Sequence, residues 1–143
     1  MREILFRGKD LSGALTRSWI FGSLDTTENE YTIMIYADRF GNKCRIFVDP
    51  KTVGQYTGLT DRNGKKIFEG DIVTYEDAEA DRDGYYDNVF LNRGEVRISA
   101  WDGICFTNKQ IAGTSDLYES ETMIGCEIIG NIYDNPELLE ELE

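Results

Sequence analysis

The sequence predicts a mainly β protein of short, curved antiparallel strands that ends in one short C-terminal helix. Apolar residues recur with period two over brief segments, as half-buried strands require. Glycine, asparagine and aspartate punctuate those segments where turns belong. A helix-spaced leucine stripe occurs only in the final residues.

The elements follow in chain order. "EILFR" (3–7) and "RSWIFGSL" (17–24) read as strands divided by a polar loop. "YTIMIYA" (31–37) sets Tyr31, Ile33 and Ile35 against Thr32, Met34 and Tyr36, apolar on both faces. "KCRIFV" (43–48) follows across "DRFGN", where Gly41-Asn42 signals a hairpin. In "GQYTGLTDRNGKKIFEGDIV" (54–73), Gly58 marks a turn and Asn63-Gly64 supplies the two positive-φ positions of a type I′ hairpin. Glu69-Gly70-Asp71 then reverses the chain before "IVTY" (72–75). Lys65 and Lys66 make no phosphate loop here, because that loop needs a longer glycine run ending in Lys-Ser/Thr and opening a helix. "GEVRISA" (94–100) puts Val96 and Ile98 on one face, and "GICFT" (103–107) pairs with it across Asp102-Gly103. "TMIGCEIIGNIY" (122–133) reads as one long strand, bent or bulged at Gly125 and Gly130. Asn135 caps the terminal helix, Pro136 opens it, and Leu138, Leu139 and Leu142 form its stripe. Ile33, Ile35, Phe47, Ile72, Val96, Ile98, Ile124 and Ile128 are the expected core. Residues 1–52 form an N-terminal β subdomain and 53–143 a C-terminal β-barrel subdomain, unless the two integrate into one domain.

Charge is the informative part of the composition. The net charge is −12, unevenly placed: residues 1–70 carry eleven Lys+Arg against nine Asp+Glu, and residues 71–143 carry four against eighteen. A surface of balance −14 repels phosphate backbones, so direct nucleic-acid binding is disfavoured. The chain's own slightly basic half offers that surface a partner on a second copy, so self-association is expected. The opening "MREILFRGKD" has no apolar signal-peptide core, and no apolar run approaches the ~18 residues that cross a bilayer. Cys44, Cys105 and Cys126 are odd in number and widely spaced, which fits reduced thiols in a cytoplasm better than a disulfide framework.

Two long motifs, "VGQYTGLTDRNGKKIFEGDIV" (53–73) and "IIGNIYDNPELLE" (128–140), resemble the YopX family of phage and prophage proteins. "REILFRGKD" and "WIFGSL" match its N-terminal pattern, and 73–122 is the loosest stretch. The resemblance implies a small mainly β protein of SH3-like-barrel character, encoded by phages or prophages. It brings no catalytic residues and no cofactor.

Chemistry is sparse in the residues themselves. The chain has no histidine, which removes the commonest base and metal ligand, and no Cys-x-x-Cys. Carboxylates gather in "YEDAEADRDGYYDNVF" (75–90), and residues 76–88 are expected as a mobile acidic loop that protease cuts near Arg82. Aligned to a calcium loop, Glu79, Asp81 and Asp83 take positions one, three and five, Gly84 takes six and Asp87 nine. The twelfth position, which needs a bidentate Glu, is Phe90, so Glu79, Asp81, Asp83 and Asp87 are a weak metal candidate. Three function classes stand. The first is a non-enzymatic interaction or assembly module binding itself, a host protein or a phage protein. The second is an acidic nucleic-acid mimic that occupies a basic host protein. The third, least supported, is a carboxylate- or metal-dependent hydrolase.

Overall fold

Ten strands form in the computed structural model, which describes residues 4–11, 18–25, 32–80, 83, 86–99, 103–107 and 125–140. They are β1 (Phe6–Lys9), β2 (Trp19–Asp25), β3 (Thr32–Ala37), β4 (Lys43–Val48) and β5 (Gly54–Thr60). Then come β6 (Lys66–Phe68), β7 (Asp71–Ala80), β8 (Tyr86–Ser99), β9 (Gly103–Thr107) and β10 (Glu127–Asn131). The chain divides into two compact units, Met1–Tyr56 and Thr57–Glu143, and β5 passes from one to the other. The sheets are antiparallel and open: one runs β4-β3-β2-β1-β5-β6, the other β10-β7-β8-β9. No closed barrel forms among the described residues, because the edge strands β9 and β10 do not pair with each other.

In the first unit, the register puts Leu24 beside Met34 and Met34 beside Ile46, with Ile20 two pairs along. Directly opposed residues share a sheet face, so these side chains pack as one cluster with Val48, Phe6, Tyr36 and Val53. Burying each large aliphatic chain contributes about 1.5–3 kcal/mol. Phe47, expected in the core, is 44% exposed, while its neighbour Ile46 is buried. Two-faced apolar strands hide their phase: Ile33 and Met34 are both buried although they point oppositely.

The second unit packs Ile67, Val73, Tyr75, Val96, Phe106 and Cys126 together, and Tyr75 stacks on Phe106 at 4.1 Å between ring centres. Ile72 is fully buried, Ile98 and Ile128 are partly buried, and Ile124 lies outside the described residues. Glu95, in the opposite phase to Val96 along β8, is buried and ion-paired with Arg97.

Four local expectations are corrected. The "acidic loop" is instead the paired arms of β7 and β8, with Glu76 opposite Leu91, Asp77 opposite Phe90 and Glu79 opposite Asn88. Backbone pairing between long strands overrides the poor β propensity of acidic residues. The hairpin at Gly64 is not type I′. The Asp61 amide donates to the Lys65 carbonyl at 2.8 Å and the Gly64 amide to the Asp61 carbonyl at 3.0 Å. The loop is therefore three residues long, and Gly64 takes the left-handed position at φ 81. The Asp38–Asn42 hairpin repeats this pattern, with Gly41 at φ 82. Gly58, expected at a turn, sits inside β5 with φ 88. Finally, the terminal helix is only a 3₁₀ turn over Pro136–Leu139. Asn135 provides no side-chain cap; its Oδ1 instead accepts from the Asn131 amide at 3.3 Å. Four residues are too few to repay α-helix nucleation.

Candidate interaction surface

The polar residues of the two long motifs are occupied with holding the second unit together. Asp61, 4% exposed, accepts from the Asn63 and Lys65 amides through Oδ1 and from the Ile128 amide of β10 through Oδ2. Burial alone would raise its pKa, but the Ile128, Lys65 and Asn63 amides, helped by the Lys65 charge, hold it below 3.8. The Arg62 amide donates to the Cys126 carbonyl, and its guanidinium pairs with Glu127 at 2.5 Å. Burial, with the Asp61 charge next in weight, pushes the Cys126 thiol up to about 11. Asp71 accepts from the Phe68 amide at 2.8 Å, and the Gly70 carbonyl accepts from Ile132. Asn131 accepts from the Tyr133 and Asp134 amides and donates to Asp134. Gly130 is required beside this turn, since a Cβ there would lie 2.5 Å from Asn135 Oδ1. The Asp61, Asp71 and Asn131 side chains each satisfy backbone amides, which is a structural role.

The weak metal candidates lie along the β7–β8 hairpin. Glu79 is in β7, Asp87 is in β8, Asp83 is exposed between the strands, and Asp81 lies outside the described residues. No cluster of three or more Cys, Asp or Glu able to hold an ion occurs among the described residues. The sequence from 81 to 84, Asp-Arg-Asp-Gly, has the same Asp-Arg-x-Gly spelling as 38–41 and 61–64. In all three places five residues separate one strand from the next. A hairpin signature thus accounts for the acid-glycine spacing that mimics a calcium loop.

A surface of different character lies on the outer face of the first sheet. Lys9 opposes Trp19 and Arg7 opposes Phe21. Ser23 opposes Ile35, which opposes Arg45; Ile33 opposes Phe47; and Ala37 opposes Lys43. Alternate residues of a strand share a face, so all of these lie opposite the Met34 cluster, and two of them, Arg7 and Ile33, are buried. Phe21 and Phe47 are 48% and 44% exposed, and Lys43 and Arg45 are exposed beside them. Arg7 and Lys9 sit over the Trp19 ring at 4.6 and 5.5 Å from its centre. Asp25, ion-paired with Arg45 at 2.6 Å, is the face's acidic member. Exposed aromatics grouped with arginine are the composition of recognition surfaces rather than of solvated sheet faces. The sequence does not announce this face: Phe47 reads as core, and the other aromatics and cations read as ordinary strand residues. The signal was the period-two spacing Lys43-Arg45-Phe47 and Trp19-Phe21, which needs the strand register before it becomes a surface.

An open two-sheet β protein with an aromatic, basic sheet face and a motif-built turn cluster is the class this architecture defines. Residues 6–140 match the family described as YopX protein, so the chain belongs to the YopX family. The crystal structure of protein EF1440 from Enterococcus faecalis shares the fold at TM-score 0.53. It is 22% identical, over 98% of this chain and 100% of that one. No curated protein matches the chain. No helix among the described residues is long and apolar enough to cross a membrane.

Proposed function

We propose that this YopX-family chain is a non-enzymatic protein-interaction module, carried by a phage or prophage and working in the bacterial cytoplasm through the outer face of its first sheet. The observation that carries the reading is the grouping of Trp19, Phe21 and Phe47 with Lys9, Lys43 and Arg45 on one face. Aromatic anchors ringed by cations supply apolar contact and long-range attraction toward an acidic partner. The buried acids Asp61 and Asp71 direct their oxygens to backbone amides, and the sequence has no histidine, so chemistry has little to work with.

The acidic second unit favours a subsidiary reading. With the boundary after Tyr56, the first unit holds eight Lys+Arg against seven Asp+Glu, and the second holds seven against twenty. A balance of −13 suits a mimic of nucleic acid that occupies a basic protein. The test is a photo-crosslinking side chain placed at position 21 or 47 of the full chain in its host, with position 66 as a control outside the face. Adducts at 21 and 47 that vanish when Lys43 and Arg45 are both changed to Glu support the face. Adducts equal at all three positions overturn it.

A further inference from the structure

We propose that the partner of this aromatic, basic face is the acidic β7–β8 hairpin of a second copy of the same chain. This rests on the preceding reading of the face and deepens it by naming the occupant. The first observation is architectural. β10 covers β7 only over Asp71–Thr74, and β9 covers β8 only over Glu95–Ser99. Beyond those limits, among the described residues, β7 and β8 pair with each other through Ala80 and Tyr86. A two-stranded ribbon is marginal in water by itself, and a hydrophobic surface laid against it is what makes such a ribbon persist.

Charge complementarity is the second observation. Glu76, Asp77 and Glu79 lie in the β7 arm and Asp87 in the β8 arm, whereas the face holds Lys9, Lys43 and Arg45 against Asp25. Third, the ribbon carries an apolar anchor: Leu91 is 71% exposed and directly opposes Glu76. Phe21 and Phe47 offer the matching apolar area. The Leu91 anchor with the opposed charge of Glu76 on the same face fits an association that forms against the net −12 of each copy and weakens as salt screens the charge pairs. The contact joins two different patches, so it is heterologous, closing into a dimer or ring only where the rotation permits.

That asymmetry supplies the test. One variant loses the face (Phe21→Ser with Phe47→Ser), the other loses the ribbon anchor (Leu91→Ser with Glu76→Lys). Circular dichroism confirms that each is folded, and light scattering after size exclusion gives the mass against 16.3 kDa for one chain. Wild type is expected as an oligomer whose dissociation constant rises tenfold or more from 50 to 500 mM salt. Each variant alone is expected as a monomer, and an equimolar mixture as a heterodimer, because each supplies what the other lacks. Should a variant misfold, Lys43→Glu paired with Glu76→Lys provides the same complementation by charge. A wild type that is monomeric at both salts overturns the inference while leaving the crosslinking test of the face intact. Monomers that do not complement on mixing also overturn it, by pointing to like-with-like contact. An oligodeoxythymidine that binds the face variant less than wild type, with no wild-type self-association, overturns it in favour of nucleic acid.

Discussion

Replacing Asp61 with alanine removes one carboxylate and three hydrogen bonds at once. Two of the amides it serves, Asn63 and Lys65, belong to exposed residues, so water can take over there. The third, Ile128, is in β10 and partly buried, and its bond at 3.1 Å ties that strand to the β5–β6 turn. A buried donor left without a partner costs about 1–3 kcal/mol, and the loosened turn adds ~1, so Asp61→Ala should cost about 2–4 kcal/mol. Asp38→Ala is the matched control. Asp38 accepts from the Phe40 and Asn42 amides in the same hairpin pattern, but both its backbone donors lie within its own turn. Its loss should be clearly smaller. The assay is urea unfolding at pH 7, with amide exchange at Ile128 as the local probe. For a slope of ~2 kcal/mol per molar, the midpoint of Asp61→Ala falls by about 1–2 M. Equal losses in the two variants, or unchanged exchange at Ile128, refute the reasoning. The pH sign follows from the depressed carboxyl: its contribution is present above the unfolded value near ~3.9 and is lost as pH falls through the folded value. Wild-type stability should thus decline on acidification more steeply than that of Asp61→Ala.

Gly41→Ala and Gly64→Ala should each cost about 1–2 kcal/mol in thermal or urea unfolding, since both hold positive φ and neither has an atom within 4 Å of the new methyl. The loss is purely one of backbone conformation, so Asn, which tolerates that region, should restore part of it. Burial raises the Cys126 thiol to about 11, so its contribution is complete below the unfolded value near ~8.5 and lost as pH rises toward 11. Urea midpoints measured from pH 8 to 11 should fall in wild type and lose that component of the slope in Cys126→Ala.

Short-range chemistry was the legible part of this fold. The hairpin at Gly41, the bulge at Gly130 and most strand positions follow from local residue choice, and the register shift between Ile128 and Gly130 falls where the glycine is. Legibility stopped where a tertiary partner decides. Glu76 to Ala80 read as loop because acids favour solvent, yet the β8 arm supplies their backbone partners. Asn135 read as a helix cap because sequence does not reveal that its oxygen turns back to Asn131. The candidate face was hidden for a similar reason. Trp19, Phe21, Lys43, Arg45 and Phe47 are unremarkable in sequence, and become one surface only when β2, β3 and β4 pair in their observed register.

Trp19 makes the central claim directly measurable, because it lies on the proposed docking face and Trp101 is the chain's other tryptophan. With Trp101→Phe in place, acrylamide quenching of fluorescence reports access to that face alone. At 50 mM salt, quenching should fall as protein concentration rises through the association range. It should recover at 500 mM salt, and it should stay high at every concentration when Leu91→Ser and Glu76→Lys are added. Quenching that is indifferent to concentration, salt and the ribbon substitutions would contradict the account.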